Sequence, residues 1–329
     1  MTVLQRLHRA WQRTWRRCVL AGAALALAAT FARPGLLLER PRFEHVVVFD
    51  VTQSMNVHDE MLDGRPVARL AFAKHALRRT IEALPCGSKL GWGIFTEYRA
   101  YLLFTPVEVC ANRAELRATL DSIDSRMAWS GNSEVAKGLH SGIGIVKQLP
   151  GTPSLVFITD GHEAPPLNPR HRPSFDDKPG DVTGLVVGVG ALRPSPIPKS
   201  DPLGRPLGFW AADEVMQTDP RSQGRGASVG GERMAEEGDA PPAAALGATP
   251  GSEHLSSLRE AYLRLLAGEN GLAFHRLRQA DALVAALQVP SLARPVTTRV
   301  DARIGLAALA LGLLLTLWLP QRRRRATPC

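Results

Sequence analysis

The chain has 329 residues, of which 45% are hydrophobic, and this composition is typical of a folded protein rather than a disordered one. Its length allows one domain of ordinary size with additional segments. The formal charge of +9 is carried by nine arginines near the two ends, namely Arg6, Arg9, Arg13, Arg16, Arg17 and Arg322 to Arg325. Because acidic and basic residues balance in between, the composition excludes an extended basic surface for nucleic acid.

Both arginine clusters adjoin apolar segments, which predict membrane helices. Residues 18–38 are predicted to be an N-terminal membrane anchor or signal segment, and residues 304–320 a C-terminal transmembrane helix. The alternative for the first segment is a signal peptide that is cleaved near Ala28. Because positive charge is retained in the cytoplasm, we expect residues 1–17 and 321–329 there and the middle of the chain outside.

The middle of the chain, residues 44–290, alternates predicted strands and helices. In chain order we expect a strand at 45–49, a loop at 57–65, a helix from Pro66 to Leu84, a hairpin of strands at 89–95 and 100–105, helices at 112–123 and from Ser133, strands at 155–158 and 183–189, a helix at 255–265, a strand at 272–276 and a helix at 280–287. The Pro- and Gly-rich residues 191–253 predict an insertion with a small hairpin near Leu207 to Trp210. The alternation predicts an α/β fold, in which a doubly wound, mostly parallel central sheet has helices on both faces, as in Rossmann-like domains.

Two cysteines, Cys86 and Cys110, lie in the part of the chain that is predicted to be exported. An oxidising compartment favours a disulfide between them. In the chain-entropy model, closing this loop is worth about 3 kcal/mol. The alternative is a pair of buried free thiols.

The candidate site begins where the first predicted strand ends. Asp50 follows the apolar run 45–49, and the hydroxyl residues Thr52 and Ser54 follow at alternate positions. Open α/β sheets bind ligands at the carboxyl ends of their strands. Carboxylate and hydroxyl oxygens suit a hard divalent cation, so this segment predicts a site for Mg²⁺, with Mn²⁺ and Ca²⁺ as alternatives.

The pattern Asp50-x-Thr52-x-Ser54 resembles the sequence that opens the metal-ion-dependent adhesion site of von Willebrand factor A domains. Ser133, in a polar loop before a predicted helix, matches the family's second segment, and Asp160, after the strand at 155–158, matches the third. The resemblance implies that these five residues bind the metal. Thr52 stands where the family has serine and Ser133 where it has threonine, and both keep a hydroxyl.

The resemblance implies a binding module and not an enzyme. In such a module, an acidic side chain from a partner protein completes the coordination of the metal. The layout resembles bacterial membrane-anchored A-domain proteins, which implies an inner-membrane protein with its soluble domain in the periplasm. Residues 84–87, 106–110 and 126–129 resemble the A-domain proteins of methanol-oxidation gene clusters. This implies an accessory role in calcium insertion during maturation of a periplasmic quinoprotein methanol dehydrogenase. The partner would then be this dehydrogenase or one of its accessory proteins. The alternative is a general envelope protein that works with a MoxR-type ATPase, as in the aerotolerance group.

A phosphotransferase of the haloacid-dehalogenase type is the competing enzyme hypothesis, because that family also begins with an aspartate after an apolar strand. Its second aspartate acts as acid and base, and Thr52 occupies that position here. Three residues next to the predicted site could tune the metal or contact a partner, or could be ordinary polar loop residues: His58, His162 and Glu163. Trp129, just before the second loop, could be a rim anchor for a partner or could pack that loop down.

Overall fold

The computed structural model describes residues 3–32, 34–167, 172–176, 178–201, 203–218, 232–234 and 251–318. The predicted basic tail at 321–329 and much of the predicted insertion, at 219–231 and 235–250, lie outside these residues. The chain divides into two compact units, one of residues 1–40 with 295–329 and one of residues 41–294.

The helices and strands have the following bounds. The strands are β1 (Gly35–Asp50), β2 (Glu60–Leu62), β3 (Arg65–Val67), β4 (Lys89–Thr96), β5 (Arg99–Glu108), β6 (Ser154–Thr159), β7 (Pro173–Ser174), β8 (Gly184–Gly188), β9 (Ser195–Pro196), β10 (Pro198–Ser200), β11 (Pro206–Phe209), β12 (Arg233–Met234), β13 (Leu255–Ser256), β14 (Ala273–Arg276) and β15 (Ala293–Asp301). The helices are α1 (Val3–Phe31), α2 (Arg69–Ala83), α3 (Arg113–Ser122), α4 (Val135–Gln148), α5 (Glu260–Glu269), α6 (Ala280–Leu287) and α7 (Arg303–Thr316).

Seven strands form the central sheet in the order β14-β8-β6-β1-β4-β5, with β15 paired to β1. Strand β1 runs parallel to β4 and β6, and β6, β8 and β14 run parallel to one another, whereas β5 is antiparallel to β4. The order of the strands reverses at β1, since β4 and β5 lie on one side of it and β6, β8 and β14 on the other. Ligands bind near such a reversal, at the carboxyl ends of the strands. The predicted α/β fold with a mostly parallel central sheet is confirmed.

Alternate residues of β1 point into two hydrophobic cores, one on each face of the sheet. Val47 and Phe49 pack among residues of α2, α3 and α6, and Val46 and Val48 pack among residues of α4 and α5. Because both faces are covered, the strand reads as a continuous apolar run instead of an alternating one. This packing fixes the end of β1, and therefore Asp50, at the carboxyl edge of the sheet.

The terminal unit contains α1 and α7, which contact each other through small residues. Ala23, Ala26 and Ala310 are buried in this contact. No helix in the described part of the chain is both long enough and apolar enough to cross a membrane, so the predicted membrane helices are not confirmed. Residues 35–38, the end of the predicted anchor, belong to β1.

Three predictions within the larger unit are wrong. The predicted loop at 57–65 includes the hairpin of β2 and β3, whose turn has φ of 51° at Asp63 and 75° at Gly64. Pro66 lies in β3 and does not begin a helix, since α2 begins at Arg69. The helix expected from Leu255 begins at Glu260, because β13 pairs with β9.

Cys86 and Cys110 are joined by a disulfide with a Cα–Cα distance of 5.3 Å. The bond links the segment before β4 to the segment after β5. Glu108 lies beside the two sulfur atoms, and these three side chains form the one cluster of His, Cys, Asp or Glu with metal-binding spacing among the described residues. Because both sulfur atoms are used in the disulfide, this cluster cannot offer thiolate ligands to a metal.

Candidate metal site

Asp50 ends β1 and is completely buried. Its Oδ1 accepts hydrogen bonds from the backbone N–H of Thr52 at 2.9 Å and from the Thr52 hydroxyl at 2.7 Å. Its Oδ2 accepts a hydrogen bond from the hydroxyl of Thr159 at 2.6 Å. These contacts fix both carboxylate oxygens at the carboxyl edge of the sheet.

Three hydroxyls meet beside this carboxylate. Thr52 Oγ1 lies 3.4 Å from Ser54 Oγ and 3.5 Å from Ser133 Oγ. Ser54 belongs to the short helical turn Gln53–Asn56, whereas Ser133 comes from the loop before α4. The three side chains are buried. The structure therefore brings together four of the five residues that were predicted to bind metal.

The loop that carries Ser133 is held from the opposite side by the segment after β6. The Ser133 N–H donates to the carbonyl of Ala164 at 2.7 Å, and the Ala164 N–H donates back at 2.8 Å. Glu163 Oε1 accepts from the N–H of Ala136 at 3.0 Å, in the first turn of α4, and from the Tyr262 hydroxyl at 2.5 Å. Glu163 thus connects the start of α4 to α5. The next residue in the chain, Ala164, is the one that pairs with Ser133.

The fifth predicted residue, Asp160, lies at the end of β6 and is also fully buried. Its Oδ1 accepts from the N–H of His162 at 2.9 Å. Its Oδ2 accepts from Arg69 Nη1 at 2.5 Å and from the Ser256 hydroxyl at 2.9 Å. Asp160 is therefore bonded to an arginine, and no described hydrogen bond joins it to the three hydroxyls.

The two aspartates differ in their electrostatic surroundings. Burial and the negative charge of Asp160 raise the pKa of Asp50 to about 7, although hydrogen bonds from Thr159 and Thr52 act in the opposite direction. Burial also opposes ionisation of Asp160, but the positive charge of Arg69 brings its pKa below the ordinary value. Asp50 makes no ion pair among the described residues, whereas Asp160 has Arg69.

This arrangement fits a hard divalent cation. Asp50 offers a carboxylate with hydroxyl oxygens on one side, and oxygen ligands of low total charge suit Mg²⁺, Mn²⁺ and Ca²⁺. A cation at this point would supply the positive charge that favours the ionised form of Asp50. The residues that would hold it directly are Asp50, Thr52, Ser54 and Ser133, while Asp160 places a further negative charge nearby.

The other residues that the sequence singled out lie in different surroundings. His58 is exposed, and the side chain of Trp129 is 57% exposed. The indole N–H of Trp129 donates to Glu97 Oε2 at 3.2 Å, and its ring packs edge-on against Tyr101. His162 is buried, which lowers its pKa to about 4 and keeps the ring neutral.

Sequence reasoning missed Arg69, Thr159 and Ser256. Thr159 could have been found, because a hydroxyl as the last residue of a central strand lies at the same edge as Asp50. Arg69 gives no local signal, since Arg78 and Arg79 on the same helix lie at the surface. Ser256 reaches the site because β13 pairs with β9, and no sequence pattern indicated that pairing.

No protein-family model and no curated protein sequence matches the chain. Similar solved structures include an aerotolerance-related membrane protein from Bacteroides fragilis, 17% identical, which covers 74% of this chain and 96% of that chain at a TM-score of 0.44. The ArnB paralog VWA2 from Sulfolobus acidocaldarius is 11% identical, over 77% of this chain and 46% of that chain, at a TM-score of 0.37. Proximal thread matrix protein 1 from the mussel byssus, with a zinc-occupied MIDAS motif, is 13% identical over 46% of this chain and 39% of that chain, at a TM-score of 0.30. Likenesses of this size establish neither a family nor a function.

Proposed function

We propose that the chain is a von Willebrand factor A-type protein that binds a divalent cation at a metal-ion-dependent adhesion site and thereby binds another protein. In this proposal it is not an enzyme. One observation carries it: the buried carboxylate of Asp50 meets three hydroxyls from two distant loops where the strand order reverses. Asp160 completes the set as a nearby negative charge.

The donor set explains why such a site would bind a partner. A divalent cation held by one carboxylate and three neutral hydroxyls keeps an excess of positive charge. A carboxylate from another protein supplies both an oxygen ligand and the missing negative charge. Oxygen ligands suit Mg²⁺, Mn²⁺ and Ca²⁺. Of these three we propose Mg²⁺, with Mn²⁺ and Ca²⁺ as the alternatives.

Calorimetric titration of the full chain with each of these ions tests the metal site. We expect binding by the wild type and none by Asp50→Ala. Asp121→Ala is the matched control, because Asp121 pairs with Arg78 at the surface and should leave binding unchanged. Equal binding by wild type and Asp50→Ala would overturn the proposal. Metal-dependent phosphatase turnover that disappears in Asp50→Ala would favour the phosphotransferase instead.

The finer proposal concerns place and partner. We propose that the chain is attached to the bacterial inner membrane, with residues 41–294 in the periplasm. The arginine clusters beside apolar terminal segments support this, as does the disulfide between Cys86 and Cys110, since disulfides persist in oxidising compartments. Carbonate extraction of membranes tests the attachment, and release of the chain by carbonate would contradict it. Protease treatment of spheroplasts tests the periplasmic location, and protection of residues 41–294 from protease would contradict it.

For the partner, we propose a periplasmic quinoprotein methanol dehydrogenase or one of its accessory proteins, with a role in calcium insertion. Only the sequence resemblance to MxaL of methanol-oxidation clusters supports this choice. A MoxR-type ATPase is the alternative. A pull-down from cells that express both candidates shows which of them binds the chain. Repeating it with a chelator shows whether the metal mediates the binding, since such a partner should then be lost. Which of the two candidates is encoded next to the gene for this chain gives an independent test.

A further inference from the structure

A cavity of about 330 Å³ lies beside the loop that carries the first two hydroxyls of the candidate metal site. Pockets of roughly 300–1,000 Å³ hold small ligands. The cavity lies between two short helical turns, Gln53–Asn56 and Ser125–Met127, and the turn that joins β10 to β11. Its described lining does not include Thr52, Ser54 or Ser133, so a ligand in it would be recognised without the metal.

Trp129 lines this cavity and is held in place by two neighbours. Its indole N–H donates to Glu97 Oε2 at 3.2 Å, and its ring meets the ring of Tyr101 at 77° with the centroids 4.9 Å apart. Trp129 is nevertheless 57% exposed. A large aromatic side chain that is both fixed and exposed offers a face of its ring to a ligand.

The two charged residues in the described lining already have partners of opposite charge. Arg126 donates to both carboxylate oxygens of Asp124, at distances from 2.6 to 3.2 Å. Asp201 accepts from the N–H groups of Leu203 and Arg205, and from Arg205 Nε at 2.6 Å. A charged ligand would therefore find no unpaired opposite charge on these two residues, and its burial would be costly.

The rest of the polar lining consists of neutral carboxamides and hydroxyls, which can both donate and accept hydrogen bonds. They belong to Gln53, Asn56, Ser125, Ser130 and Ser200. Gln53 Oε1 accepts from the indole N–H of Trp210, which fixes the orientation of the Gln53 carboxamide. A matching ligand carries several hydroxyls, which also donate and accept, and an apolar face for the indole of Trp129. A pyranose ring has both, since its hydroxyls lie around the rim and its C–H groups on the ring faces.

We propose that this cavity binds a neutral sugar in its pyranose form, with one face of the sugar ring stacked on Trp129. The carboxamides and hydroxyls of the lining bind the hydroxyls of the sugar. This is a second binding activity of the chain, and it does not depend on the proposed metal site. A free sugar and one unit of a glycan chain offer the same chemistry, and the experiment separates these two sources.

Saturation-transfer difference NMR on the full chain tests the proposal. A chelator is present, so that metal binding plays no part, and the detergent has no sugar headgroup. The probes are the methyl pyranosides of glucose, galactose and mannose, each beside the corresponding uronate, which carries a carboxylate instead of the CH₂OH group. We expect transfer to at least one neutral pyranoside, strongest at the C–H groups of one ring face, and weaker binding of its uronate.

Four variants locate the binding. Trp129→Ala should weaken it by about tenfold, the effect of losing one aromatic contact. Trp129→Phe keeps a ring face without the bond to Glu97 and should retain most of the affinity. Asn56→Ala should also weaken binding, and it tests the site even if Trp129→Ala does not fold. Trp318→Ala is the matched control, because Trp318 is 86% exposed and does not line the cavity, so its loss should change nothing.

Three results would overturn the proposal: no transfer to any neutral pyranoside in the wild type, equal affinity in the wild type and Trp129→Ala, or tighter binding of the uronates than of the neutral sugars. Trisaccharides of the sugar that binds identify the source. Tighter binding than that of the methyl pyranoside supports a glycan chain, and equal affinity supports a single sugar unit. Because the chelator is present throughout, these results are independent of whether Asp50 binds a metal.

Discussion

Arg69 Nη1 lies 2.5 Å from Asp160 Oδ2, and neither side chain is accessible to solvent. The same guanidinium donates to both carboxylate oxygens of Asp59, at 2.9 and 2.5 Å, and to the hydroxyl of Ser256 at 2.7 Å. Burial disfavours the charged form of Arg69, but the hydrogen bond to Asp59 and the charge of Asp160 raise its pKa overall. Arg69 therefore joins the loop after β1, the loop after β6 and strand β13.

Replacing Arg69 by methionine should destabilise the fold strongly, because it leaves two carboxylates without their cation. Breaking a buried pair in this way costs about 3–5 kcal/mol. Arg78→Met is the matched control on the same helix, since Arg78 and Asp121 form an exposed pair that is worth at most about 1 kcal/mol. Urea denaturation of both variants measures the difference. If the two lost equal stability, Arg69 would not have the structural role assigned to it.

Asp50→Asn should separate stability from metal binding. At pH 8 the metal-free wild type holds Asp50 ionised and buried, and its raised pKa shows that this charge is unfavourable there. We expect the variant to be more stable without metal, because asparagine places no charge at this buried position next to Asp160. We also expect Mg²⁺ to raise the melting temperature of the wild type but not that of the variant. A metal-free variant that is less stable than the wild type would contradict this account.

Glu163→Ala should weaken metal binding although Glu163 is not a predicted ligand. Without its acceptor, the start of α4 is no longer tied to α5, and the loop that carries Ser133 is held less firmly. Supporting residues of this kind change metal affinity by about 10- to 100-fold. Glu163→Gln keeps an acceptor oxygen and should lose much less. Titration calorimetry compares the two, and unchanged affinity in Glu163→Ala would show that the contact is only structural.

His45 predicts a dependence of stability on pH. Burial lowers its pKa from 6.5 to about 4, so the folded state keeps the ring neutral while the unfolded state becomes protonated below pH 6.5. The stability from this residue is therefore present above pH 6.5 and decreases as the pH falls toward 4, by about 3 kcal/mol in total.

Urea denaturation at pH 7.5 and 4.5 checks this, with His45→Gln as the comparison. Glutamine can bond Ser154 and the carbonyl of Leu287, as His45 does, but it does not titrate. The loss of stability between the two pH values should be smaller in the variant by about the amount due to His45. An equal loss would mean that other groups cause the acid sensitivity.

The sequence predicted the part of the fold in which local pattern and tertiary packing agree. Apolar runs marked β1, β6 and β8, and a carboxylate and two hydroxyls after β1 indicated the site. The hairpin of β2 and β3 was missed, although Asp63-Gly64 is a strong turn signal, because its two strands have only three residues each. Pro66 was assigned to the start of a helix, where proline is common, but it lies in strand β3. The local sequence does not distinguish these two positions.

The rest of the site depends on contacts between residues that are far apart in the sequence. Arg69 reaches Asp160 across 91 residues, and Trp210 reaches Gln53 across 157. A charged side chain on a helix usually lies at the surface, so nothing in the pattern around Arg69 indicates burial. The insertion was predicted as a departure from the α/β alternation, but the contact of its residue Trp210 with Gln53, beside the candidate site, follows from pairings that the sequence does not mark.

The disulfide between Cys86 and Cys110 has a consequence for aggregation. Strand β5 is an outer strand of the sheet, and Tyr101 and Leu103 on it are exposed. An open strand of this kind can recruit another chain, and sliding by one residue would turn its apolar side chains to the solvent. The disulfide joins the two chain segments just beyond the pair of Lys89 and Glu108. Strand β5 therefore can neither separate from β4 nor shift its register against it. In a reducing cytosol this protection would be lost, and the protein should accumulate there as insoluble oligomers.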